Sequence, residues 1–228
     1  MKYTNIVTGI FINRPNRFIA IVNINGTEET VHVKNTGRCR ELLIPGARII
    51  LEKARNADRK TKYSLIAVYK GNTLINIDSQ VPNLVAYEGI LDGKVKKVGI
   101  PAFLKREVKY GASRFDLYFE DGERKGFIEV KGATLEVDSV VKFPDAPTER
   151  GTKHINELIN AVSNGFEAYL LFIIQMKGAD HFEPNIVMDK AFSDALYKAS
   201  VSGVNIIAYQ CNVYEDGIEL DKEVPCKI

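Results

Sequence analysis

The sequence predicts an α/β (α+β) protein of two domains. A small N-terminal β-barrel of the OB type occupies residues 1–82, and a mixed-sheet α/β domain follows over residues 83–228. Three observations predict this. Short strand-like runs broken by turn signals fill the first segment, whereas helical stripes alternate with buried-looking apolar runs in the second. Charge divides along nearly the same line. Residues 1–85 carry 13 Lys and Arg against 6 Asp and Glu, a balance of +7, while residues 86–228 carry 18 against 23, a balance of −5. Charge varies along any chain, but a split that coincides with a change of texture points to a basic module for a polyanion beside an acidic one that gathers a cation.

In chain order, FIAIVNINGTEETVHV reads as a hairpin turning at Asn25-Gly26, the strongest short-range hairpin signal. ARIILEKA, YSLIAVYKG and NTLINID follow as further strands, separated by Pro45-Gly46, by Asn56 to Arg59, and by Gly71-Asn72. About five short strands in a segment of this size suit an OB-type barrel. Its basic residues gather in RPNRF (Arg14, Arg17), in KNTGRCR (Lys34, Arg38, Arg40) and in ARNADRKTK, with Phe11, Phe18 and Tyr63 among them. Arginine and lysine beside aromatics is how such barrels hold single-stranded nucleic acid, although aromatics also fill any core and charges cover any solvated face.

Between Gln80 and Gly99 the texture changes, and Pro82-Asn83 marks a helix start before LVAYEGIL. Beyond the hairpin described next, KFPDAPTERG is irregular. A helix is expected from about Thr152 to Ser163, with Ile155, Leu158, Ile159 and Val162 as its apolar stripe and Asn164-Gly165 as its end. AYLLFIIQM is a continuous apolar run, the mark of a strand covered on both faces. AFSDALYKASVSG reads as a helix closed by Gly203, and VNIIAYQ as the next strand.

The stretch SRFDLYFEDGERKGFIEVKG carries the chemistry. Two alternating runs flank a turn near Gly122 and Glu123, a register that sets Phe115 against Val130, Leu117 against Ile128 and Asp116 against Glu129, with Lys131 on the same face. Facing Cβ atoms in such a pair lie about 5 Å apart, and two carboxylates that close repel unless one is protonated or a cation intervenes. An Asp followed by Glu-x-Lys is the pattern of the PD-(D/E)XK nucleases. Asp116 and Glu129 suit Mg²⁺ (or Mn²⁺), which keeps several waters and accepts one or two protein carboxylates. Lys131 would then orient the attacking water or stabilise charge on the phosphate. The competing reading is a surface hairpin in which Lys131 neutralises two acidic neighbours.

Around that core, Glu107 is a further carboxylate for the metal or an ordinary helix-end acid. Arg150 and His154 stand one helical turn apart, the arginine suited to a phosphate at a positive helix end and the histidine to capping, packing or catalysis. Asp145 belongs to a loop that either closes over the site or makes a turn. Arg114, Arg150 and Lys153 are the basic residues of this cleft. His32 and His181 lack ligand spacing and read as structural, which argues against zinc.

The motifs RPNRF, NTGRCRELLIPG, KREVKYGASRFD, EVKGATL, KFPDAPTERGTKHINEL and FEPNIVMDKAFSDALYKASVSGVNIIAY resemble those of the sugar fermentation stimulation protein A family, nearly end to end. The family usually has Pro where Lys190 stands. The resemblance implies an OB-like domain joined to a nuclease-like one, DNA binding without strong sequence preference, and a regulatory role in sugar metabolism, particularly of maltose. It carries the nuclease-like core onto Glu107, Asp116, Glu129 and Lys131.

Three cysteines (Cys39, Cys211, Cys226) without CxxC pairing, no signal-like leader and no run of the ~20 apolar residues that a span needs lead us to expect a cytoplasmic protein off the membrane. Two function classes follow: a Mg²⁺-dependent nuclease acting on DNA, with RNA also admissible, and a DNA-binding regulator that keeps the nuclease-like core without cutting. No helix-turn-helix signature supports a sequence-specific regulator, and the absence of Trp tells against a sugar-binding platform.

Overall fold

The computed structural model describes residues 1–35, 37–56 and 58–228. Strands β1 (Ile6–Asn16), β2 (Ile19–Ile24), β3 (Thr27–Val33), β4 (Arg48–Lys53), β5 (Tyr63–Lys70) and β6 (Thr73–Asn76) form the first sheet, in the order β3-β2-β1-β4-β5-β6. A short parallel pairing of β3 with β5 closes the first five strands into a barrel. The Asn25-Gly26 hairpin forms as expected, with φ of 52° and 88°, the left-handed pair that a type I′ turn demands. Strand β1 was not among the expected strands. Register shifts after Phe11 and Asn13 break its alternation, and Pro15 near its end cannot donate to a ladder.

Helix α1 (Pro82–Leu91) leads into the second domain and begins at the predicted Pro82. There β7 (Phe103–Tyr110), β8 (Ser113–Asp121), β9 (Arg124–Ala133), β12 (Glu167–Ile174), β14 (Asn205–Tyr214) and β15 (Gly217–Val224) form a sheet of order β15-β14-β12-β9-β8-β7. The sheet is mixed, because β12 runs parallel to both β9 and β14 while the outer pairs are antiparallel. A three-stranded sheet of β10 (Leu135–Val137), β11 (Val140–Phe143) and β13 (His181–Pro184) flanks it. Helices α2 (Glu149–Ser163) and α3 (Lys190–Val201) pack on one another.

Strand β12 explains the layering. Its Leu170, Phe172 and Ile174 join the cluster that holds Ile155, Leu158, Phe192 and Leu196 of α2 and α3. The alternate residues Tyr169, Leu171 and Ile173 join the cluster that holds Val85, Ala86 and Ile90 of α1. Both faces are therefore covered by helices, which is why the run is apolar without alternation. Helix α2 starts three residues earlier than expected, because Thr148 caps it by accepting the Gly151 N–H at 3.0 Å.

The two domains meet through a buried polar seam. Gln175, 2% exposed, donates from Nε2 to Asn76 Oδ1 at 2.8 Å and to the Asp78 carbonyl at 3.2 Å, while the Asn76 N–H donates to the Gln175 carbonyl. Among the described residues no helix is long and apolar enough to cross a membrane.

Candidate functional site

The β8–β9 hairpin turns at Gly122, whose φ of 61° at the first central position suits a type II′ turn, and its ladder runs from Asp121↔Arg124 to Leu117↔Ile128. This is the expected register, but it stops one residue short of the acidic pair. The expected facing pairs Asp116–Glu129 and Phe115–Val130 are not ladder pairs. Phe115 packs on Phe127 on the α2 face, with ring centroids 5.2 Å apart, whereas Val130 belongs to the cluster under α1. The break coincides with Glu107 of β7, which has a φ of 55° and lies between the Arg106↔Leu117 and Val108↔Phe115 pairs.

Where the ladder stops, the Asp116 side chain takes over. Its Oδ2 accepts the Val130 backbone N–H at 2.8 Å, and its Oδ1 accepts Asn83 Nδ2 of α1 at 2.6 Å. The two carboxylates thus converge without direct strand pairing. Glu129 is 2% exposed, and its Oε1 is met both by Lys131 Nζ at 2.5 Å and by His154 Nδ1 from the second turn of α2. Its Oε2 is buried with no hydrogen-bond partner among the described residues.

Electrostatics separates the pair. Burial, then the neighbouring Glu129 charge, pushes the Asp116 carboxyl up from 3.8 to about 6. Burial also opposes charge on Glu129, but His154 and Lys131 together outweigh it and hold that carboxyl below its ordinary value. The result is one ionised carboxylate with an idle buried oxygen beside a second that is half-protonated only near pH 6. That donor set fits a small oxygen-seeking cation that keeps most of its waters. No group of three or more His, Cys, Asp or Glu converges as a metal cage among the described residues.

Of the other expected site residues, several stand elsewhere. Glu107 is not brought to the cluster: its exposed side chain pairs with Arg114 Nη1 at 3.3 Å, and β7 is an edge strand. Arg14 spends its guanidinium on backbone, donating to the carbonyls of Gly37, Arg38, Arg17 and Asn35. Lys34 bridges Asp78, whose side chain is 2% exposed, at 3.2 Å and Glu52 at 3.3 Å. Both residues build the barrel surface, because a buried carboxylate and orphan carbonyls need donors there.

Arg17, Arg38 and Arg40, all exposed, line with Arg14 a cleft of about 300 Å³, and Arg17 lies over the exposed Phe18 ring at 5.4 Å. Arg150 sits exposed in the first turn of α2, one turn before His154, and Lys153 faces a separate shallow groove with Gly111 and Asn160. Asp145 lines a cavity between the domains. Sequence reasoning did not find Asn83 or Gln175 as site residues, since nothing local marks an amide whose partner is distant in sequence.

Comparison with known proteins places these features in context. The family model described as the sugar fermentation stimulation protein RE domain matches residues 80–217, and the SfsA N-terminal OB domain model matches residues 12–77. The chain is 57% identical to a sugar fermentation stimulation protein homolog of Alkaliphilus oremlandii, over 98% of this chain and 97% of that one. It is 56% identical to a homolog of Clostridium beijerinckii, over 96% of each. A solved structure of Pyrococcus furiosus SfsA in complex with Ca²⁺ superposes with a TM-score of 0.89 at 28% identity, covering 100% of this chain and 98% of that one.

Proposed function

Given that this chain belongs to the sugar fermentation stimulation protein family, we propose that it binds DNA without strong sequence preference in the cytoplasm and hydrolyses phosphodiesters with Mg²⁺ or Mn²⁺. The observation that carries this reading is the idle, buried Oε2 of Glu129 beside the Asp116 carboxylate, with the Lys131 amine on the same glutamate. The Pyrococcus furiosus relative was solved with Ca²⁺, a cation of the same hard, oxygen-seeking class.

Asp116 and Glu129 are the residues that would hold the cation. When bound, such a cation supplies an acidified water and offsets charge on the phosphate. The chain's own groups do the rest. His154 and Lys131 keep Glu129 ionised, and Asn83 and the Val130 N–H aim Asp116. Lys131 supplies the positive charge that meets the developing phosphorane oxygens or orients the attacking water. Arg150 lies at the α2 N-terminus, where a phosphate is favoured.

A second reading has its own support: a non-catalytic DNA-binding regulator of sugar metabolism. Both Asp116 oxygens are already engaged by protein donors, and no three-donor metal cage exists among the described residues. Incubation of the purified protein with mixed DNA and RNA in Mg²⁺, Mn²⁺ or EDTA separates the two. Metal-dependent cleavage abolished by Lys131→Ala supports the enzyme; binding without cleavage under every metal supports the regulator.

A further inference from the structure

The arginine cleft of the barrel does not end at the barrel. Gly37 lines both that cleft and a second cavity of about 180 Å³ between the domains. The inner cavity is bounded by Gly132, next in sequence to Lys131, and by Pro82, next to Asn83, so it adjoins the candidate active site from two sides. It is smaller than the roughly 300–1,000 Å³ of a drug-sized pocket and admits about one ring system.

Its chemistry is specific. Gln175 lines it and is 2% exposed. The orientation of its amide is fixed by backbone. The Asp78 N–H donates to Asn76 Oδ1, which sets the Asn76 amide, and Gln175 Nε2 then serves Asn76 Oδ1 and the Asp78 carbonyl. Oε1 must therefore point away from the seam. Among the described residues no donor reaches it, and it stands over Gly132, where an added Cβ would lie 2.5 Å from it. Asp145, whose carboxylate has no hydrogen-bond partner among the described residues, lines the same cavity together with Lys142 and Phe143. Two acceptors without donors among the described residues thus line the cavity, which suits a ligand that donates. The adjoining arginines suit one with an anionic backbone. A planar ring that presents an exocyclic amine, on a phosphate chain, meets both acceptors and the arginines.

We propose that this interdomain cavity receives one unpaired cytosine or adenine of a single strand, its exocyclic amine donating to Gln175 Oε1 and Asp145 while the preceding phosphates run over Arg17, Arg38 and Arg40. This deepens the reading of the chain as a nucleic-acid-binding protein and rests on it. A paired base cannot enter, so the substrate is single-stranded at this point.

The test is fluorescence anisotropy in EDTA with short oligo(dC), oligo(dA) and oligo(dT), and with oligo(rC) and oligo(rU). Wild-type protein is expected to bind oligo(dC) and oligo(dA) at least about 2- to 10-fold tighter than oligo(dT), the value of the one neutral hydrogen bond to Gln175. The same preference is expected of oligo(rC) over oligo(rU), because the base and not the sugar is read. Gln175→Met should abolish the preference, so that oligo(dC), oligo(dA) and oligo(dT) bind alike. Because Gln175 also ties the domains together, Asp145→Ala, monitored by thermal melting, is the second variant and should reduce the preference in a stably folded protein. Equal affinity of the wild type for all homopolymers, or an unchanged preference in both variants, would overturn the cavity assignment and leave DNA binding intact. Failure to bind any strand would overturn both.

Discussion

At the scale of single residues, Asp116 and Glu129 are pushed in opposite directions by the same burial, and this gives the site a readable pH signature. Asp116 binds its proton more tightly folded than unfolded, so its contribution to stability is fully present below its unfolded value of 3.8 and is lost as pH rises through about 6. In EDTA, the melting temperature of the wild type should fall across that window relative to Asp116→Asn, which has no proton to lose. A divalent cation favours the charged form, so the Mg²⁺-induced gain in melting temperature should be larger above that pKa than below it, and Asp116→Asn should blunt the gain. Equal metal shifts in both proteins at all pH values would contradict a cation held by Asp116. Lys34 makes the opposite point about residue-level reading. Its position in a basic stretch suggests a phosphate contact, but its partners are Asp78 and Glu52. Lys34→Met strands a buried carboxylate, at a cost of about 3–5 kcal/mol. Calorimetry should show melting lowered by roughly 6–20 °C in a chain of this length, and an unchanged melt would return Lys34 to the binding surface.

At the scale of elements, the sequence was legible wherever a local rule decides the outcome. Asn25-Gly26 and Gly122 require left-handed backbone, the β12 run requires cover on both faces, and the stripe of α2 requires a core beneath it. Strands β1 and β7 were not legible. The first carries bulges that disrupt alternation, and the second is a charged edge strand, exposed at five of its eight positions. The site shows the same division. The register that joins Asp116 to Glu129 was readable from the hairpin up to Leu117↔Ile128, but the splay beyond it depends on the backbone of β7. His154 and Asn83 arrive from two helices through tertiary packing, which no spacing in the sequence encodes. Helix α2 holds His154 against Glu129 from a start fixed by Thr148. Thr148→Ala should therefore cost about 1 kcal/mol in denaturant titration and lower any cleavage rate along with it. A loss of stability without change in rate would show that the His154 contact does not depend on the cap.

At the scale of the whole molecule, the first 85 residues are net basic and the remainder net acidic, and under the proposed function the barrel holds the strand that the second domain cuts. The cations of the barrel cleft left open among the described residues are Arg17, Arg38 and Arg40, since Arg14 is committed to backbone carbonyls. Replacing those three with Ala should weaken binding across unrelated sequences and flatten the log–log salt slope by up to ~0.7–0.9 for each phosphate no longer neutralised. Unchanged affinity and slope in a folded triple variant would move the binding surface towards Arg114, Arg150 and Lys153. Under the proposed function, the idle oxygen of Glu129 acts with Asp116 and Lys131 in metal-dependent phosphodiester hydrolysis. The most direct measurement is cleavage of labelled single-stranded DNA by wild type and Lys131→Ala in Mg²⁺, in Mn²⁺ and in EDTA, with binding measured on the same samples. Wild-type cleavage should need metal and should fall ~10²–10³-fold in the variant at unchanged affinity. Strand binding without cleavage in either metal, or cleavage that Lys131→Ala leaves intact, would contradict the proposed function.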